Sequence, residues 1–366
     1  MFNKLKTPRS KRTMRIMLKS SLITVVIFYA LVGTAMFAWS RIVVPPEPPA
    51  LRPVIRHIDR PADPDLGDEY DPDYDDRDTE YVWPAPERVT DDDRRDMFFT
   101  FLIIGLNEGT NANTIMVASF DYATGNANLV SIPRDVPVHP TRNGRKLSSS
   151  YLIGARGGRG LEGGVNQVQM DVMGVIGFIP DFYIVIDYDA FFAIIDAVGG
   201  IDIYVPFRFY NCDPYQDLFI DIPAGWHNMD SHMALHFARF REANEGHRAI
   251  SDFQRIQNQQ EIVRAVARNL LRPANLLRIP EFINIFNDSV DTDLSIGNLT
   301  WFATRLHGSR GLDALSTYTM PVSHTGTVNR VSYVFLDADG VLELVNRTIN
   351  PFYVEIEMRD VNIIGN

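Results

Sequence analysis

The residues best suited to chemistry in this chain are cations standing where elements end. LVSIPRD, Leu129 to Asp135, runs as a strand into Pro133, and proline cannot continue a ladder, so the strand stops there. Arg134 and Asp135 stand at the stop. A permanently charged planar fork held at a sheet rim by a rigid proline suits a phosphate or a carboxylate. A second group begins at Ser251-Asp252-Phe253-Gln254, the pattern of a capping box. The helix it opens carries Arg255 and Gln259 one turn apart on one face, and Ile262 and Val266 continue that face. The stripe is polar at the helix N-terminus, where free N–H groups and the dipole favour an anion, and then turns apolar. Arg239 and Arg241 precede this helix by a short loop and share a face if the segment is extended. With Lys146 from an earlier loop, these cations suit two phosphates better than one carboxylate. The apolar stripe leading away suits a lipid tail attached to those phosphates.

Other constellations carry less. His232 and His236 have a helical spacing that zinc sites use, but no third ligand motif accompanies them. Ser131, Asp135 and His139 do not make a triad, because Ser131 lies within a strand and no nucleophile elbow is present. Cys212 is the single cysteine, which excludes an intramolecular disulfide and a thiolate metal cage. The acidic run from Asp63 to Asp78 lacks EF-hand spacing and reads as a solvated stalk.

The elements that must position these groups alternate between strand and helix. Phe98–Leu106, Thr114–Asp121 and Ala127–Pro133 read as strands. Paired as an antiparallel meander, they bring Asn107, Asn113 and Arg134 to one end of a sheet. The glycine-rich stretch 154–164 reads as loop, and Val165–Ile176 has a helical apolar face. Phe182–Asp187 is a strand, Ala190–Val198 a helix ended by Gly199-Gly200, and Ile201–Pro206 a strand. Residues 207–225 read as irregular, Ser231–Arg239 as helix, and the helix from Asp252 stops before Pro273. Further helices and a short strand, Ser316–Pro321, follow, and Tyr353–Val361 reads as an edge strand or an ordered appendage. The interleaving predicts an α/β layered domain.

The chain has 366 residues, 45% of them hydrophobic, and a formal net charge of −11. A nucleic-acid binder would show a basic domain or stripe, so that class is disfavoured and the expected anion site is a local basic cluster on an acidic protein. Lys4, Lys6, Arg9, Lys11, Arg12, Arg15 and Lys19 precede the first acidic residue, and Ser20 to Ser40 carries no charge. About twenty apolar residues span a bilayer, and the basic flank stays inside. The expected organisation is a cytoplasmic tail over 1–19, a transmembrane helix over 20–40, a Pro/Asp-rich linker over 41–95, a folded domain over 96–347 and a tail over 348–366, all of it beyond Arg41 outside the cytoplasmic membrane. The rival is a cleaved signal peptide.

LIIGLN with NTIMVASFD, then LVSIPRD, RKLSSSY, FYIVIDYDAFFAIIDAVGGIDIYVP, ALHFARFR and DFQRIQNQQ occur in this order. In them the chain resembles the LytR-CpsA-Psr family of bacterial cell-envelope phosphotransferases, closely over Phe98–Leu271 and loosely to about Asn346. The resemblance implies an α/β/α sandwich with a mixed central sheet, preceded by one transmembrane helix, with a prenyl pocket between sheet and helices. It implies transfer of a glycopolymer from a polyprenyl-pyrophosphate carrier to peptidoglycan through a phosphodiester. By resemblance Arg134, Lys146, Arg239, Arg241, Arg255 and Gln259 hold pyrophosphate, and Arg134, Arg239, Arg241 and Asp252 are catalytic, with Asp252 or Asp135 as the base. Ile262 and Val266 then line the lipid pocket. The family holds magnesium on aspartates where this chain has Asn107 and Asn113, and has basic residues where it has Asn111 and Asn258. An amide oxygen can ligate a hard cation but carries no charge, so weak magnesium binding is expected. The alternative to a transferase is a lipid-pyrophosphate binding protein that has lost its metal.

Overall fold

The computed structural model describes residues 43–51, 54–57, 79–107, 111–138, 146–156, 158–214, 218–270, 272, 275, 278–308 and 315–365. The basic tail, the span over 20–40, the acidic run to Asp78 and His139 lie outside the described residues. Among the described residues, no helix is long and apolar enough to cross a membrane.

A two-stranded ribbon of β1 (Val54–His57) and β2 (Thr79–Val82) precedes the main sheet. In that sheet β3 (Phe98–Asn107), β4 (Asn111–Asp121) and β5 (Asn126–Ser131) form the antiparallel meander expected from sequence. β6 (Phe182–Ile186) adds parallel to β3, and β12 (Leu315–Thr319) parallel to β5. The two-residue β11 (Asp291–Thr292) completes a mixed six-stranded sheet of order β11-β6-β3-β4-β5-β12.

Strand alternation divides the sheet between two faces. Leu102 and Ile104 of β3 join Ile115, Val117 and Val130 in a core packed under α2 (Gly160–Ile176) and α8 (Ala338–Thr348). The next residues of β3 along the opposite face, Ile103 and Gly105, look into a cavity. Further down that face Phe99 meets Trp301 and Phe302 of α7 (Ile296–Gly308), which follows α6 (Ile279–Ser289). Beyond β6 come α3 (Tyr188–Ala197) and β7 (Ile201–Val205), which pairs with β10 (Gly225–Met229). Then come α4 (Ser231–Arg239) and α5 (Asp252–Leu270). Phe209, Ile220, Phe237 and Ile262 belong to a second core in this region.

Two expectations are corrected here, and one left open is decided. Residues 207–225 are not irregular: β8 (Phe209–Asp213) and β9 (Leu218–Ile222) pair as a hairpin. The period-2 burial of Leu218, Ile220 and Ile222 was legible but short. Gly154 and residues 160–164 of the glycine-rich stretch are helical and not loop. α1 (Ser150–Ala155) crosses the first turns of α2 so closely that a Cβ on Gly163 would lie 2.3 Å from the Gly154 carbonyl oxygen. These glycines serve close helix contact instead of a turn. Tyr353–Val361 is the ordered appendage and not an edge strand. Its neighbour Phe352 and its own Ile356 enter the first core, while the Tyr353 and Asn362 amides donate to Asp93 and Gly174 carbonyls. A further hairpin, β13 (Val322–Val328) with β14 (Val331–Leu336), was not expected.

Candidate anion and lipid site

A cavity of ≈ 790 Å³ lies between the β3–β4 face and helices α3, α4 and α5, a size typical of small-ligand sites. Ile103, Gly105 and Met116 form part of its sheet side, and Phe191, Leu235, Ile262 and Val263 part of its helix side. The β8–β9 hairpin contributes Asn211, Pro214 and Leu218. Arg134, Arg239, Arg241, Arg255 and Gln259, all singled out from sequence, line the same cavity, as do Asn107 and Asn113.

Local structure explains how they meet. β5 ends at Ser131 and the chain turns at Arg134, whose carbonyl accepts the Ser148 amide at 2.9 Å. The capping box forms: the Gln254 amide donates to Ser251 Oγ at 3.2 Å, and the Ser251 amide to Gln254 Oε1 at 3.0 Å. It fixes the start of α5, which places Arg255 in the first turn. Gln260 Nε2 donates to Ser131 Oγ and to the Tyr318 carbonyl, each at 2.8 Å, and so ties α5 to β5 and β12. Arg239, the last residue of α4, has its guanidinium 5.6 Å from the Tyr188 ring centroid.

The electrostatics favour an anion. Arg255 is only 8% exposed, and its Nη2 meets Asp252 at 2.5 Å. Burial first, then the facing cations Arg134 and Arg241, push its guanidinium down to about 10, with Asp252 opposing; it stays protonated at neutral pH. The Nε atoms of Arg134 and Arg255 are buried with no hydrogen-bond partner among the described residues. A buried donor left unpaired is costly, and both belong to arginines that line the cavity. Two carboxylates among the described residues of the wall are committed: Asp187 caps α3 by accepting the Ala190 amide at 2.8 Å, and Glu242 pairs with Arg241.

Not every expected residue joins the cavity. Lys146 Nζ bonds Asp135 at 2.8 Å and lies 5.8 Å from the Tyr333 ring centroid, off the cavity wall. Asp252 lines an adjoining recess shared with Arg134, Arg255 and Gln259. Val266 packs against the second core, and Val263 takes the place on the wall expected for it. His232 lies against Phe192, the two rings tilted with centroids 4.7 Å apart, and burial lowers the pKa of His236. Sequence reasoning also missed Tyr188 and Phe191, whose i, i+3 spacing on α3 was the available signal.

The described residues do not fit a magnesium site. Magnesium is held through carboxylates with near-octahedral geometry. Asn113 Oδ1 accepts Arg134 Nη1 at 2.8 Å, so a permanent cation already faces that oxygen. Asn107 Oδ1 accepts the Asn111 amide at 2.9 Å. Among the described residues, no three His, Cys, Asp or Glu side chains group closely enough to hold a metal ion.

Comparison with known proteins agrees with the fold. The sequence profile of the LytR_cpsA_psr family matches residues 76–350. Regulatory protein MsrR of Staphylococcus aureus is 23% identical over 265 residues, 70% of this chain and 73% of MsrR. The polyisoprenyl-teichoic acid–peptidoglycan teichoic acid transferase TagU of Oceanobacillus iheyensis is 24% identical over 254 residues, 68% of this chain and 74% of TagU. The crystal structure of Bacillus subtilis TagV superposes with a TM-score of 0.56 at 23% identity, covering 69% of this chain and 96% of that one. With a mixed sheet of the kind seen in these structures, the expected motifs in order and a profile match over most of its length, the chain belongs to the LytR_cpsA_psr family.

Proposed function

We propose that this protein is a membrane-anchored transferase that moves a glycopolymer from a polyprenyl-pyrophosphate carrier to peptidoglycan through a phosphodiester. One observation carries the reading: Arg134, Arg239, Arg241 and Arg255 line the same cavity as an apolar wall. That combination suits a diphosphate joined to a hydrocarbon tail. The name of TagU, a teichoic acid transferase acting on peptidoglycan, supports the reaction class. In the reaction, a peptidoglycan hydroxyl attacks the sugar-side phosphorus. A new P–O bond forms, the bridging P–O bond breaks, and polyprenyl phosphate leaves with the bridging oxygen. The hydroxyl proton passes to a carboxylate, for which Asp252 is the candidate, since it shares a recess with Arg134, Arg255 and Gln259. The arginines stabilise charge developing on the phosphate oxygens, the main catalytic task in such transfers.

The lipid is tested by substitution. Val263→Asp sets a charge against the tail, and an unpaired charge in an apolar site is strongly disfavoured. Native mass spectrometry of protein extracted gently from membranes is expected to show a bound polyprenyl phosphate or pyrophosphate in the wild type and none in Val263→Asp. Equal occupancy in both would make this wall plain core.

The anchor is tested separately. The basic tail and the uncharged run Ser20–Ser40 motivate an uncleaved span with the folded domain outside the cytoplasmic membrane. External protease on intact protoplasts is expected to remove the folded domain. A soluble mature protein beginning near Val43 would contradict this.

A further inference from the structure

We infer that this site holds its diphosphate with arginine where a divalent cation would serve, and that Asn113 is the positioning residue that aims Arg134 at the ligand. The inference rests on the lipid-diphosphate reading and concerns how the charge is met. It starts from a break in the β3–β4 ladder. Gly105 pairs with Thr114 but Leu106 with Ala112, which leaves Asn113 as the extra residue of a bulge. Bulges re-aim side chains, often beside active sites. Here Asn113 and Thr114, consecutive in one strand, both line the cavity, which regular alternation would forbid.

The redirected amide has one visible use. Its Oδ1 accepts Arg134 Nη1 at 2.8 Å, which spends one N–H of the fork on orientation, while Nε is buried without a hydrogen bond, 3.8 Å from Asp135 Oδ2. The choice of an amide matters. A carboxylate at 113 would accept the same hydrogen bond and also neutralise the guanidinium. Asparagine aims the cation and leaves its charge for the ligand. Of the nearby described acids, Asp135 is held by Lys146 at 2.8 Å and lies further, at 3.8 Å, from Arg134 Nε, and Asp252 is held by Arg255 at 2.5 Å. Arg239 and Arg241 line the same cavity. A dianionic or trianionic headgroup therefore meets guanidinium groups directly, and a divalent cation on Asn113 Oδ1 would have to sit against Arg134.

The experiment is calorimetry of the full chain in detergent with geranylgeranyl diphosphate, in chelator and in magnesium. Wild-type affinity is expected to agree within about threefold between the two buffers. Asn113→Asp is expected to bind about tenfold or more weakly in chelator, and the Asn107→Asp/Asn113→Asp double variant to recover on adding magnesium. Asn113→Ala removes the aim without adding charge, so it should weaken binding in both buffers with no magnesium response. A merely structural residue would give both single variants the same loss and the same indifference to metal. Thermal melts of each variant separate loss of fold from loss of site. Wild-type affinity rising more than about tenfold with magnesium would overturn the inference and leave the lipid-diphosphate reading standing. So, for the role of Asn113, would unchanged binding by Asn113→Asp in chelator. Failure of the wild type to bind in either buffer would overturn both.

Discussion

Arg134→Lys is expected to lower turnover about 10²- to 10³-fold, the usual consequence of losing one preorganised donor to a transition-state oxyanion. The substitution keeps the charge and removes the geometry. In the wild type one N–H of the guanidinium is fixed on Asn113 Oδ1 at 2.8 Å, and Arg134 lines the cavity beside it. An ammonium is a point charge on a flexible stem, and it cannot hold the amide while presenting a second, rigidly oriented N–H. The backbone that carries residue 134 does not depend on its side chain, because Pro133 and the bond from the Ser148 amide set the turn. The loss should therefore fall on turnover, with stability close to that of the wild type. Turnover of Arg134→Lys within about twofold of wild type would make Arg134 a structural residue, since that lies far inside the range for a transition-state donor.

Arg94→Met is expected to destabilise the folded domain by about 3–5 kcal/mol, because it leaves a buried charge without its partner. Asp181 is buried at the start of β6, and its Oδ2 accepts the Thr100 amide at 2.8 Å and Thr100 Oγ1 at 2.9 Å. Arg94 Nη2 reaches the same oxygen at 2.5 Å. The group thus joins the segment before β3, β3 itself and the entry to β6. Burial holds the Asp181 carboxyl above its ordinary value of 3.8, with Arg94 and Thr100 opposing. The sign of the pH dependence follows. A carboxyl that takes up protons more readily in the folded state contributes stability at low pH, and this is lost as pH rises through its folded pKa. Without Arg94 that pKa rises further, so the deficit of Arg94→Met should grow between about pH 4 and pH 7. Urea denaturation across that interval measures it. Arg94→Met/Asp181→Asn should recover part of the loss, because removing both charges leaves neither unpaired. A loss below about 1 kcal/mol at pH 7 would place the pair with ordinary surface salt bridges.

The polar end of the cavity was legible in the sequence because each of its residues follows a boundary with its own local signal. Pro133 marks the end of a strand, and Ser251 with Gln254 marks the start of a helix. Chain connectivity then brings Asn107, Asn113 and Arg134 to one end of the meander. What failed was the assignment of partners. Lys146 reads as one more cation from its type, yet Asp135 holds it at 2.8 Å against 3.8 Å to Arg134 Nε, and no local pattern tells which of two neighbouring cations an aspartate will hold closer. Val266 lies on the same angular stripe as Arg255 but about 16 Å further along the axis, at about 1.5 Å per residue. The cavity instead continues sideways to Val263. The bulge at Asn113 left no signature in composition or periodicity, since it is a property of two strands in register and not of either alone. The glycines of α1 and α2 show the same limit: a glycine needed for close helix contact looks, in sequence, like one needed for a turn.

The central claim is phosphodiester transfer from a lipid carrier, and product analysis tests it most directly. Purified protein would be incubated with a polyprenyl-diphosphate-linked oligosaccharide and peptidoglycan fragments, and the products read by mass spectrometry. The account expects one polyprenyl monophosphate released for each oligosaccharide joined to a fragment through a single phosphate, with Arg134→Lys forming both far more slowly. Donor that is bound but recovered intact, with no phosphate-linked fragment formed, would contradict it and leave a binding protein in its place.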